Sequence, residues 1–382
     1  MKASRLITYI YSVNLLLFGI ISASFWSDYE KNDNTLNLLM TIMLQILSFT
    51  ILFLYLRQVK VKEMKGSVLI AVLWIFCAPI VLFMAHTQSL ITDSLSVILW
   101  PIVFLCSYIL VKNNRTNFYV LQKFFVILWF ITLLYFVGVR LSEYRNANMV
   151  FFPLMTTPWI MSIKKIRLRN IFLLVLFIAV LFSSKRSAII AFILILISYY
   201  FSYFARGKSL LRGVVLVLLL IISVGIFYQV NKMFDNAIIE RFNSVEEDQG
   251  SGRLFIYQNV LDLQVRSTKS QYLWGHGHFA VKKDSLLDLS AHNDFLEILY
   301  DYGIIIFTLY ILLWINIIKQ LIRLRKNRSV FFFPYFSSIV LFIIVSMVSH
   351  LVLYASNFIF LVCFWGAVQG IVTREKLENK TI

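Results

Sequence analysis

Three stretches of the chain hold residues whose types and spacing could do chemistry. In "SAHNDFLEILYDYG", Ser290 to Gly303, an imidazole, His292, stands where a polar segment runs into an apolar one. Ser290 is placed to cap a helix there, with Asn293 and Asp294 in its first turn, so the ring is held at the water-facing start of a helix. The positive end of a helix dipole disfavours protonation and leaves the neutral imidazole that a general base must be. The plainer alternative is a histidine that only decorates a helix start. In "FSSKRSAII", Lys185 and Arg186 fill a tight turn between two apolar runs. A cation so close to hydrocarbon calls for a negative partner, either a ligand or, by snorkelling, lipid phosphates. In "SGRLFIYQNV", Arg253 follows Gly252. Arginine grips phosphate oxygens bidentately, and a glycine before it lets the backbone approach closely.

Other chemistries compete for the same residues. All five histidines, His86, His276, His278, His292 and His350, fall at one set of helix ends, and for His86 and His350 the expectation is an interfacial ring bonded to a neighbour. "HGH" at 276–278 could contribute two imidazoles to a metal, but no H-E-x-x-H or C-x-x-C accompanies it. Glu297 and Asp301, four apart on a helix, form an alternative carboxylate pair, either catalytic, or a proton site of a transporter, or partners for the nearby cations. Lys282 and Lys283 read as a solvated charge run.

The elements that must position these groups are membrane helices. The 382 residues are 60% hydrophobic and 14% charged, and the apolar residues collect in blocks of a length that crosses ~30 Å of hydrocarbon. Hydrocarbon offers no partner to a free backbone amide, so each block must be helical. The fold class is therefore an all-α polytopic integral membrane protein, and a soluble fold is excluded. About twelve spans are expected, near 6–26, 36–56, 67–85, 95–111, 118–138, 148–163, 170–184, 187–205, 213–230, 295–318, 331–350 and 353–371. Basic clusters such as "RQVKVKEMK", "KKIRLR" and "KQLIRLRKNR" fall on alternate ends of these spans and hold most of the 36 lysines and arginines. The net charge of +17 is thus a topology signal, not a nucleic-acid footprint, and places both termini in the cytoplasm. The expected divisions are 1–230 for spans one to nine, 231–292 for one large outer loop, 293–372 for the last three spans and 373–382 for a cytoplasmic tail. Within the loop, Leu254, Tyr257, Leu261 and Val265 recur at helical intervals, predicting a short amphipathic helix that lies on the bilayer or caps a cavity. Cys77, Cys106 and Cys363 each lie inside an apolar block and suggest neither a disulfide nor a metal knot.

"HNDFLEILYDYG" resembles the signature of the O-antigen polymerase and O-antigen ligase superfamily, with His292, Asn293 and Gly303 in register. "SSKRSA" resembles the basic motif of that superfamily, matching Arg186, and "SGRLFIYQNV" resembles its arginine at the start of the large periplasmic loop, matching Arg253. The position of Lys185 departs from the pattern and inherits no role. The resemblance implies a glycosyltransferase of the bacterial inner membrane, with its active site on the periplasmic side and no metal or other cofactor. It would transfer glycan from an undecaprenyl-pyrophosphate-linked oligosaccharide, with His292 as base, Arg186 and Arg253 on the pyrophosphate, and Asn293 and Gly303 in support. Membrane lipids are implied partners, a chain-length regulator is compatible, and nucleic acid is not. Polymerase is the favoured activity. The alternatives are a ligase transferring glycan to lipid A core and, from another class, a lipid-linked-glycan flippase.

Overall fold

The structure, a computed structural model, describes residues 2–27, 35–55, 65–87, 89–142, 146–205, 253–286, 289–352 and 355–378, with 225, 228 and 232. The expected ninth span, the first part of the large loop, the clusters "RQVKVKEMK" and "RGKSLLR" apart from Lys65, and the end of the tail lie outside them. The described chain is helical, without strands. Five long helices come first, α1 (Lys2–Ser27), α2 (Thr35–Tyr55), α3 (Ser67–Met84), α4 (Leu90–Asn113) and α5 (Thr116–Leu141). After a 3-10 turn, Ala147–Val150, come α6 (Phe151–Met155), α7 (Thr157–Met161), α8 (Ile166–Ser183) and α9 (Arg186–Ala205). The loop carries α10 (Arg253–Val265), α11 (Lys269–Trp274) and α12 (Ala280–Asp284), and the chain closes with α13 (Asp294–Lys326), α14 (Phe332–Val348) and α15 (Ala355–Glu378). Eight of these helices are long and apolar enough to cross a membrane, and α9 and α14 are shorter apolar helices. The protein is a polytopic helical membrane protein.

α4 and α15 form the centre and are mostly buried. With lipid as apolar as leucine, helices associate through close packing, and small residues permit it. Gly366 and Gly370, four apart on α15, face the backbone of α4: a Cβ at Gly366 would collide with the Phe104 carbonyl, and one at Gly370 would lie 2.6 Å from that of Tyr108. Several hydroxyls inside the bundle bond back to their own helix, as when Ser12 donates to the Thr8 carbonyl at 2.7 Å and Thr132 to that of Leu128 at 2.8 Å.

The sixth expected span departs from the sequence reading. Residues 148–163 do not form one helix but three short pieces, buried throughout from Met149 to Met161. Pro153 and Pro158 each remove an N–H donor and crowd the preceding turn. Irregular backbone is tolerated at membrane depth only where protein surrounds it, and protein groups take up the freed carbonyls. Thr156 donates to the Pro153 carbonyl at 2.7 Å, and Gln122 reaches the Trp159 carbonyl at 3.2 Å and Ser162 Oγ at 2.7 Å. The Trp159 ring stacks on Phe125 at 4.4 Å, and its N–H reaches the Phe360 carbonyl at 3.0 Å.

The loop helix α10 forms where periodicity places it. Ile256 and Val260 are its buried residues, packed with Ala280, Val281, Ala291 and Tyr300. Leu254, Leu261 and Val265, the apolar stripe read from the sequence, are exposed. The helix therefore carries two apolar stripes, one packed on protein and one open to its surroundings.

Candidate functional site

The loop is held to the membrane domain by a break in α13. Gly303 has φ +66° and ψ −175° inside that helix, so the carbonyls of the preceding turn lose their helical donors. The loop supplies replacements: His276 N–H donates to the Tyr300 carbonyl at 3.1 Å and Gly277 N–H to that of Asp301 at 2.9 Å. The crossing is so close that a side chain on Gly303 would strike the Leu273 carbonyl, and one on Gly275 that of Asp301. The two imidazoles of "HGH" are committed separately. His276 stacks on Tyr300 with ring centroids 3.9 Å apart, while buried His278 bonds the Tyr302 hydroxyl. Among the described residues no group of three or more His, Cys, Asp and Glu is placed to hold a metal ion.

His292 sits one residue outside α13. The cap is Asn293, not Ser290: its side-chain oxygen accepts the N–H groups of Phe295 at 2.9 Å and Leu296 at 3.4 Å. His292 itself has φ +52°, a left-handed conformation that costs on the order of 1–3 kcal/mol in a residue with a side chain. Two carboxylates hold the turn in that shape. Glu297 reaches back, one carboxylate oxygen accepting Ala291 N–H at 2.9 Å and the other meeting His350 Nδ1 at 2.6 Å. Asp294 accepts Leu351 N–H at 3.0 Å and Val352 N–H at 3.2 Å, tying the turn between α14 and α15 to the start of α13. Asp301 does not join Glu297 as a dyad; it accepts Val281 N–H at 2.9 Å and holds the loop.

His350 therefore belongs to this cluster. Its ring lies 4.6 Å from that of His292, tilted by 32°. Burial pushes His292 down to about 4, helped by His350 and by the positive charges of Arg253 and Lys185. The neutral form is favoured at neutral pH, with burial in the place of the helix dipole as the leading cause. Burial also pushes His350 down to about 4, with Asp294 pulling the other way and Arg253 pushing further down.

The cations come from two helix starts. Arg253 opens α10, and Lys185 and Arg186 occupy the junction of α8 and α9. That junction is built by its serines. Ser184, with φ +56°, reverses the chain, and Ser183 Oγ accepts Lys185 N–H at 3.1 Å. Arg140 clasps the Phe182 carbonyl through Nε at 3.2 Å and Nη2 at 3.1 Å. Of the residues singled out from sequence, His292, Asn293 and Arg253 share one neighbourhood, Arg186 directly follows Lys185 in it, and Gly303 serves by backbone shape. Two members were named in the sequence without a place in the site. The charge of Lys185 acts on His292 although the motif gave it no role, and His350, expected to bond a neighbour, bonds Glu297 from 53 positions further along the chain.

A bundle with eight helices of membrane length, and a cluster of imidazoles, carboxylates and cations at the starts of α9, α10 and α13, defines the class as an integral membrane protein. Residues 171–311 match the O-antigen ligase family (Wzy_C). The matched segment includes Arg186, Arg253, His292, Asn293 and Gly303. No curated protein matches the chain.

Proposed function

We propose that the protein is an O-antigen or related surface-polysaccharide polymerase, joining undecaprenyl-pyrophosphate-linked repeat units on the periplasmic face of the bacterial inner membrane. What supports this reading is a neutral imidazole within the field of Arg253 and Lys185, on a segment of a lipid-linked-glycan family. The leaving group is a lipid diphosphate, already a stable anion, so no acid need protonate it. It needs fixed positive charge in a poorly hydrated place, which Arg186 and Arg253 supply, with Lys185 beside them. His292 takes the proton of the acceptor hydroxyl as the new bond to the anomeric carbon forms. The old bond breaks with its electron pair passing to the diphosphate, and attack from the opposite face inverts the anomeric centre.

In cells that depend on this protein for long-chain polysaccharide, His292→Ala at matched protein level abolishes chain growth. Normal long chains would remove His292 as the base. The family description favours a second reading, a ligase whose acceptor is lipid A core, with the same donor chemistry. Deletion separates the two. Loss of a polymerase leaves single repeats on the core, whereas loss of a ligase leaves bare core and carrier-linked chains.

A further inference from the structure

The neighbour that His350 bonds is Glu297. Their Oε2 to Nδ1 distance is 2.6 Å with 2% and 8% side-chain exposure, so the contact is out of reach of bulk water. A buried hydrogen bond of this kind fixes the plane of an imidazole. Asp294 fixes its backbone as well, through the N–H groups of Leu351 and Val352 that follow it. The face of the ring so fixed lies against His292, whose own backbone is held in an unfavourable conformation. A rigid ring against a strained residue is an arrangement that sets an orientation.

We infer that His350, held by Glu297, is a positioning residue for His292: the two turns at the ends of α13 and α14 meet so that one imidazole fixes the aim of the other. The inference rests on the reading of His292 as the base. The charged and titratable groups whose field acts on His292 are His350 from the α14–α15 turn, Arg253 from α10 and Lys185 from the α8–α9 junction, while Asp294 and Glu297 of its own helix are bonded to the α14–α15 turn. Those that face His350 are Glu297, Asp294 and Arg253. His350 is one of the groups that lower the proton affinity of His292, so its removal has a signature that a merely structural role lacks.

The test uses full-length protein purified in detergent and lipid-linked oligosaccharide extracted from cells that lack it. His350→Phe keeps a ring against His292 and removes the nitrogen that Glu297 holds. It lowers kcat on the order of 100-fold, the cost of a reacting group about 1 Å out of place, leaves KM for the lipid-linked donor unchanged, and moves the acid limb of kcat/KM to higher pH. Wild-type kcat with an unmoved limb would overturn the inference, as would a fall in folded yield that accounts for the whole loss. If His350→Phe does not accumulate, His350→Asn keeps a donor for Glu297 without the ring, and wild-type kcat in that variant overturns the inference equally. His292→Ala run in parallel separates the two readings: an active His292→Ala defeats the base assignment, and an inactive one beside an unaffected His350 variant defeats only the positioning role.

Discussion

At the scale of single residues, the site works by opposing influences on one imidazole. Burial, His350, Arg253 and Lys185 all press His292 toward the neutral form, which under the proposed function keeps the base unprotonated but makes it weak. On that proposal a bound diphosphate would cancel much of the charge on Arg253 and Lys185, and His292 would regain basicity when the donor arrives. The acid limb of kcat/KM, which reports the free enzyme, is therefore expected near pH 4, and that of kcat, which reports the substrate complex, at higher pH. Coincident limbs would show that the cations do not touch the donor. Stability follows the same groups. His278, His292 and His350 are each lowered to about 4 from an ordinary 6.5, so the unfolded chain takes up protons before the folded one does. Their contribution is complete above pH 6.5 and is lost as pH falls toward 4, which thermal denaturation in detergent across that range measures. Arg253→Lys tests the shape of the guanidinium against its charge: a bidentate grip predicts a loss of chain growth far closer to that of Arg253→Ala than to wild type, read from polysaccharide length.

At the scale of elements, the segment from His292 to Gly303 stood out in the sequence, and its geometry gives several of its residues separate structural roles. Asn293 caps, Glu297 and Asp294 pin two turns, and Gly303 opens the helix so that the loop can bond to it. Those roles need residues at fixed offsets, which a sequence can display. The partners across the fold were not legible, because His350 and the Leu351 and Val352 amides reach the motif only through packing. The protein-facing stripe of α10 was not legible for a related cause: periodicity finds one apolar stripe, and only the floor beneath, here Val281, Ala291 and Tyr300, selects the second, Ile256 and Val260. Gly303→Ala should be far more damaging than an exposed helix substitution. It adds backbone strain of about 1–3 kcal/mol to a collision with the Leu273 carbonyl, which costs a further ~1–3 kcal/mol, and it should undock the loop. Limited proteolysis between α10 and α13 would read this as new cleavage, and unchanged resistance would contradict the account.

At the scale of the whole molecule, hydropathy carried the reading a long way because the bilayer imposes one length and one secondary structure on every span. It failed at residues 148–163, where Pro153 and Pro158 break a segment that other helices enclose, since enclosure leaves no mark on local composition. It was equally silent on which helices form the centre. That information lay in Gly366 and Gly370, whose spacing lets α15 settle against the α4 backbone. Because α15 follows the turn that carries His350, this packing also supports the site from a distance. Gly366→Leu forces the two central helices apart against the Phe104 carbonyl, at a cost of about 1–3 kcal/mol or more where backbone cannot yield. The expected outcome is a lower melting temperature in detergent together with reduced chain growth. A substitution of the same size at Leu134, exposed on α5, should change neither, because lipid accommodates it; equal damage at both positions would show that α4 and α15 are not the packing centre on which the site depends.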